Sequence, residues 1–210
     1  MSNVCLPLIS IHRHRLGIDG KGVTTLVGAY GCPLKCKYCL NPHAWAPGTK
    51  YQNVTPEELL DKVKIDHLYF LATGGGIVFG GGESLLHSDF IREFRSICPP
   101  QWQITVETSL NVPPENLQKV VDVVDEYIVD IKDMNPGTYE SYTGNSNFRV
   151  MQNLKTLREH IDSQRVLVRV PLIPRFNKRE DLDNSCNILR EMGFTNFDVF
   201  SYVIRKKPET

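Results

Sequence analysis

Cys32, Cys36 and Cys39 stand in the spacing C-x3-C-x2-C within Gly-Cys-Pro-Leu-Lys-Cys-Lys-Tyr-Cys-Leu-Asn, residues 31–41, and no fourth cysteine follows nearby. Iron–sulfur clusters are held by cysteine thiolates, so three on one short loop can hold three corners of a [4Fe–4S] cluster. Four would close the cluster and suit plain electron transfer. Three leave one iron free to take a small molecule, as a catalytic zinc keeps an open position. A zinc site is the alternative, although zinc normally asks for four ligands in paired C-x2-C knuckles. A run of ordinary loop cysteines is the other.

A second stretch able to meet a ligand is Gly80-Gly81-Gly82-Glu83-Ser84, after the apolar run Ile77-Val78-Phe79. Glycines leave backbone amides and carbonyls uncovered, so a ligand can lie against them. A phosphate loop would need Lys-Ser/Thr after the glycines, and none follows; a tight strand-to-helix turn is the other reading. Asp130 and Lys132 sit two apart at the end of an apolar strand, so both side chains leave on one side. A surface ion pair is the alternative. Arg169 lies between Val168 and Val170, and an arginine facing a core is rarely left unpaired. A carboxylate is its natural partner. Glu107 and Thr108 close another strand, and Glu107 with Asp130 would gather like charge that raises carboxylate pKa values or demands a cation. We therefore expect a monovalent or divalent cation among Glu107, Thr108 and Asp130, unless Lys132 or Arg169 already balances the charge. His12, His14, His43, His67, His87 and His160 are dispersed, none at metal spacing from a Cys or Glu, and read as surface or packing residues.

These residues need elements to position them, and the chain alternates β-branched runs with amphipathic helices. An apolar piece at 6–11 leads to Gly-Ile-Asp-Gly-Lys-Gly, 17–22, a loop with unusual backbone angles. Strands are expected at 23–30, 77–79, 103–108, 126–131, 165–172 and 197–203 from their β-branched content. Thr55-Pro56-Glu57-Glu58 carries a capping box. Ser88 should cap the next helix, followed by the stripe Phe90, Ile91, Phe94, Ile97. Further helices are expected around Leu117–Val124, at 148–161 with Met151, Leu154 and Leu157 inward, and at 180–192. Alternation of this kind implies a parallel sheet. The fold class is α/β, a partial (β/α)6 TIM-like barrel with the cysteine loop after strand 1, where such folds put their chemistry.

Composition is that of an ordinary globular protein: 210 residues, 41% apolar and 23% charged. We expect a single domain over 1–210, with 1–22 as a lead-in segment, and a monomer. Lys plus Arg and Asp plus Glu both number 24, so charge proposes neither nucleic acid nor an anionic membrane as partner. No apolar run reaches the length of a membrane span, and the first residues lack a signal-peptide layout. A cytoplasmic home with reduced thiols is expected. Cys5, Cys98 and Cys186 lie among apolar neighbours and read as buried packing residues.

The cysteine spacing, with Tyr38 before the last cysteine, resembles the signature of the radical S-adenosylmethionine (SAM) enzymes. Within that superfamily the chain is similar to the glycyl-radical-enzyme activases. The likeness is carried by residues 17–31, 74–86, Val129-Asp-Ile-Lys-Asp-Met134, Tyr142-Thr-Gly-Asn-Ser-Asn147 and, less closely, 168–174. The resemblance implies that Cys32, Cys36 and Cys39 hold one [4Fe–4S] cluster whose open iron chelates SAM. It implies reductive cleavage to a 5′-deoxyadenosyl radical, which takes hydrogen from a backbone glycine of a partner glycyl radical enzyme. It places Tyr38 and Leu40 by SAM, Gly81, Gly82 and Glu83 at its amino group, and Glu107, Thr108, Asp130, Lys132 and Arg169 around the same cavity. A flavodoxin or ferredoxin is the implied electron donor. Leu40 and Val203 stand where the family often has histidine. A radical SAM enzyme acting on a small molecule or peptide is the alternative, and a non-catalytic iron–sulfur or zinc module the rival of another class.

Overall fold

Val23–Ala29, buried at all but one position, forms β2, the strand that leads into the cysteine loop. The structure is a computed structural model and describes residues 4–202. Parallel to β2 run β4 (Gly76–Gly81), β5 (Gln103–Thr108), β6 (Glu126–Asp130), β7 (Val166–Leu172) and β8 (Phe197–Ser201), paired in that order. These six strands fulfil the expected barrel units. The sheet does not close; with β1 (Leu6–Leu16) and β3 (Gln52–Val54) added beyond β2, its order is β3-β1-β2-β4-β5-β6-β7-β8.

Two strands depart from the all-parallel expectation. The lead-in is a long strand, β1 (Leu6–Leu16), antiparallel to β2, and β3 (Gln52–Val54) pairs with its first residues. The run His12–Arg15 hid it, because polar residues with half-exposed neighbours do not read as a buried strand. Gly17, Gly20 and Gly22 in the hairpin take φ of 63°, 77° and 65°, as the glycine loop required.

Helices α1 (Pro56–Val63), α2 (His67–Thr73), α3 (Ser88–Ile97), α4 (Pro114–Gln118), α5 (Pro136–Thr143), α6 (Phe148–His160) and α7 (Arg179–Glu191) lie between the strands. The capping box of α1 forms: Thr55 Oγ1 accepts from Glu58 N, and Glu58 Oε2 accepts from Thr55 N at 2.9 Å, worth about 1 kcal/mol. Ser88 does not cap α3. A 3-10 turn over Ser84–His87 runs into the helix, so Ser88 is its first residue and buried. Of the expected stripe Leu117, Val120, Val121 and Val124, all but the partly buried Val121 are buried, and only Pro114–Gln118 is α-helical. The last strand ends at Ser201, and Val203 lies outside the described residues.

One apolar cluster runs through the molecule, from Leu6 and Val27 through Phe79, Phe90 and Phe94 to Leu154 and Phe194. Phe79 meets Phe94 edge-on at 5.6 Å, an arrangement the ring quadrupoles favour. Cys98 and Cys186 join this core, whereas Cys5 is exposed rather than buried. Among the described residues no helix is long and apolar enough to cross a membrane.

Candidate active site

At the C-terminal ends of the parallel strands the chain encloses a cavity of about 430 Å³, a size ordinary for a small-molecule site. Cys32, Cys36 and Cys39 all line it, and no other cysteine does. The loop that carries them is tied down at its start. His87 Nε2 donates to the Tyr30 carbonyl at 2.8 Å, and Glu83 N donates to the Gly31 carbonyl at 2.7 Å. Burial lowers His87 from its usual range, which suits a neutral ring with one N–H to give. Burial, with Glu83 next, pushes the Cys32 thiol up to about 12, and burial likewise raises Cys36. Unloaded Cys32 and Cys36 are therefore thiols, and binding metal there releases protons.

The glycine segment packs against this loop. A Cβ on Gly82 would stand 2.2 Å from the Gly31 carbonyl oxygen, so only glycine lets the turn sit this close. Gly81 and Gly82 line the cavity, as does Glu83. The Glu83 carboxylate, however, is 1% exposed and already surrounded by donors. Thr108 Oγ1 and Ser109 Oγ each reach it at 2.6 Å, Ser109 N at 2.8 Å and Leu85 N at 3.2 Å. Rather than offering its oxygens to a ligand, Glu83 staples the turn after β4 to the turn after β5.

Deeper in the cavity lies a charged group. Arg169 Nη1 donates to Glu107 Oε1 at 2.9 Å and Nη2 to the Ile18 carbonyl at 3.0 Å, with Asp19 Oδ1 at 3.7 Å. Lys132 Nζ lies 3.5 Å from Asp130 Oδ2, as the shared side of Asp-x-Lys required. Burial alone would drag Lys132 down, but Asp130 foremost holds it well above its usual range. A cation among Glu107, Thr108 and Asp130, as expected, would compete there with cationic side chains. Glu107 and Asp130 face Arg169 and Lys132, and the Thr108 hydroxyl is turned to Glu83. Among the described residues no three His, Cys, Asp or Glu side chains are gathered closely enough for a single metal ion. The three thiols are no exception, and as corners of a cluster they need not share one metal.

Burial, then Asp130 and Asp19, push Glu107 up to about 7 against the pull of Arg169. A folded pKa above the unfolded value means that protonation favours the folded state, so stability is lost as pH climbs from about 4.5 through 7. We expect urea melts of the wild type to lose on the order of 3 kcal/mol over that window relative to Glu107→Gln. Parallel pH profiles for the two proteins would contradict the assignment.

The remaining expectations divide. Leu40 lines the cavity at 81% exposure. Tyr38 is not among the lining residues; its ring packs edge-on against Phe176 at 5.7 Å and tilts toward Tyr142. His12, Arg15 and Asp19 line the cavity without having been singled out as site residues, because they reach it only through the β1–β2 hairpin. Arg15 pairs with Asp19. Ser109 and Tyr202 also line it. Ser109 could have been suspected from its place after Glu107-Thr108 at a strand end.

Comparison with known proteins gives three kinds of match. The model of the Radical SAM superfamily matches residues 26–200. The pyruvate formate-lyase-activating enzyme of Clostridium pasteurianum is 31% identical over 177 residues, covering 83% of this chain and 73% of that protein. The pyruvate formate-lyase 1-activating enzyme of Escherichia coli K12 is 28% identical, covering 84% and 72%. The (2S)-3-sulfopropanediol dehydratase activating enzyme of Klebsiella oxytoca is 25% identical, covering 83% and 74%. Among solved structures, Streptococcus suis SuiB bound to S-adenosylmethionine superposes with a TM-score of 0.64 at 13% identity, covering 84% of this chain and 39% of that one. The likeness to SuiB is one of fold.

Proposed function

We propose, for a chain that belongs to the radical SAM superfamily and within it to the glycyl-radical-enzyme activases, that the cavity cleaves SAM reductively in order to place a radical on a backbone glycine of a larger partner enzyme. The observation that carries the reading is the donor set: three thiols and no fourth, facing one cavity with the glycine turn and a buried ion-pair group. These residues fit a four-iron cluster with SAM. Cys32, Cys36 and Cys39 would hold the cluster, and the backbone of Gly81 and Gly82 would meet the SAM amino group. Asp130 and Lys132 would flank SAM, with Glu107 and Arg169 around it. When bound, cluster and SAM supply a 5′-deoxyadenosyl radical; the protein supplies binding, orientation and exclusion of water.

No nucleophile–base pair is needed for hydrogen abstraction. Lys132 and Arg169 offset part of the cavity's acidic charge, so an anionic SAM carboxylate would find cationic partners there. Leu40, exposed at the rim, adds an apolar surface there. The relatives' names carry different targets, pyruvate formate-lyase and a sulfopropanediol dehydratase, so the class of partner is proposed and not its identity. A flavodoxin or ferredoxin as electron donor, a monomeric chain, a single domain over 1–210 and a cytoplasmic home belong to the same reading. The continuous sheet and core support the single domain.

Anaerobic reconstitution followed by reduction in the presence of SAM tests this. The expected result is about four irons per chain and release of 5′-deoxyadenosine and methionine. A colourless protein with bound zinc, or a coloured one that leaves SAM intact, would return the chain to the non-catalytic module.

A further inference from the structure

The segment Tyr142-Thr-Gly-Asn-Ser-Asn147 is not used by the cavity chemistry, yet it bonds the backbone of the cysteine loop at several points. Helix α5 ends at Gly144, which takes φ 74° and caps the helix through its N–H to the Glu140 carbonyl. A helix end leaves its last carbonyls without partners inside the helix. Here two of them are met by the cysteine loop: Lys35 N donates to the Thr143 carbonyl at 2.9 Å, and Lys37 N donates to the Tyr142 carbonyl at 3.1 Å. Asn145 Nδ2 adds a longer bond to the Pro33 carbonyl at 3.4 Å. The residues so held are the neighbours of Cys32 and Cys36.

The turn itself is rigid. Thr143 is 1% exposed, its Oγ1 donates to the Tyr139 carbonyl at 2.7 Å and accepts from Asn145 N at 3.2 Å. Asn111 Nδ2 bonds both the Tyr139 hydroxyl at 2.9 Å and the Ser146 carbonyl at 2.7 Å. Asn147 Nδ2 holds the Met134 carbonyl at 3.0 Å. Buried polar groups bonded in this way favour one arrangement of the backbone, although the Tyr142 hydroxyl itself is buried without a partner among the described residues.

We propose that the turn ending α5 is a template for the cysteine loop, with Thr143 and Asn145 as positioning residues that keep the reduction potential of the bound cluster low. The inference rests on the reading that Cys32, Cys36 and Cys39 hold a cluster. Amide N–H groups that point at cluster sulfur stabilise the reduced, more negative state and raise the potential. The Lys35 and Lys37 amides are committed to helix carbonyls and cannot do so. The carbonyl end of a helix also carries partial negative charge, which acts in the same direction. Lys132, beside Cys36, acts in the opposite direction and is unchanged by the substitutions below. A low potential makes the cluster a stronger reductant toward SAM.

The test is potentiometric titration of the reconstituted protein, followed by the electron paramagnetic resonance signal of the reduced cluster. Thr143→Val removes the hydroxyl that shapes the turn, and Asn145→Ala is a milder second variant should Thr143→Val fold poorly. Both are expected to hold four irons and to shift the potential upward, Thr143→Val by about tenfold in the reduced-to-oxidised ratio at a fixed potential, or 59 mV for one electron. Thr143→Ser, which keeps the hydroxyl, is expected to match the wild type. A cluster present in both variants at the wild-type potential would overturn the inference alone. Absence of a four-iron cluster from the wild type would overturn it together with the proposed function.

Discussion

Alanine at Cys32, Cys36 or Cys39 is expected to abolish the four-iron cluster, and with it all release of 5′-deoxyadenosine. Each thiol faces the cavity and none has a substitute, since Cys98 and Cys186 lie in the apolar core and Cys5 is away from the site. A cluster bound at three corners has no spare protein ligand to lose. Iron content and visible absorbance of anaerobically reconstituted variants measure the effect. Cys98→Ala and Cys186→Ala should keep near-normal iron, at a stability cost of up to about 1–2 kcal/mol for small cavities. If Cys98 or Cys186 proved as necessary as Cys39, the three-cysteine account would be wrong.

The second large effect is expected at Glu83. Truncation in Glu83→Ala leaves the Thr108 and Ser109 hydroxyls and the Ser109 and Leu85 amides without an acceptor in a buried place. An unsatisfied buried donor costs about 1–3 kcal/mol. Part of the loss is relieved by hydroxyl rotation and water, so a net destabilisation of about 3–4 kcal/mol is expected from urea melts. Glu83→Gln should cost less, because the amide keeps one acceptor oxygen. SAM affinity should fall together with stability, as the turn holding Gly81 and Gly82 comes loose from β5. Were Glu83 a direct ligand of SAM instead, Glu83→Ala would weaken SAM binding and leave the melt unchanged.

Those two outcomes also mark how far the sequence could be read. The cysteine loop, the glycine turn and the ends of β5, β6 and β7 came out of local patterns: spacing, β-branched runs and a two-residue alternation that puts Asp130 and Lys132 on one side. Their meeting in one cavity follows from parallel strands, whose C-terminal ends all point one way. What could not be read was the partner of each polar group. Glu83 looks like a ligand in sequence because it follows the glycines; only the approach of Thr108 and Ser109 from the next strand reveals it as a staple. Arg169 was expected to need a carboxylate, but Glu107 lies 62 positions away and Asp19 reaches it through a hairpin.

The charge balance around the expected cation was hidden for a related reason. Counting acids at neighbouring strand ends shows Glu107 and Asp130 crowding each other, whereas the direction in which Arg169 and Lys132 turn decides whether that charge stands alone. The antiparallel β1 escaped because His12-Arg13-His14-Arg15 is mostly exposed and bulged, with His14 at φ 54°. Beyond Leu8, where its pairing with β3 stops, β1 lies at the sheet edge, and charges and a bulge there keep it from looking like a core strand. Helix α5 was likewise hidden, since Pro136–Thr143 has scarcely any apolar stripe and is held by its Asn135 cap instead.

The measurement that bears most directly on the account is electron paramagnetic resonance of the reduced, SAM-loaded enzyme mixed anaerobically with its candidate glycyl radical enzyme. The account predicts a stable glycine-centred doublet that forms only with SAM, collapses when the glycine α-hydrogens are replaced by deuterium, and is absent with Cys36→Ala. Rapid turnover of SAM on a free small molecule, with no radical stored on any protein, would contradict it.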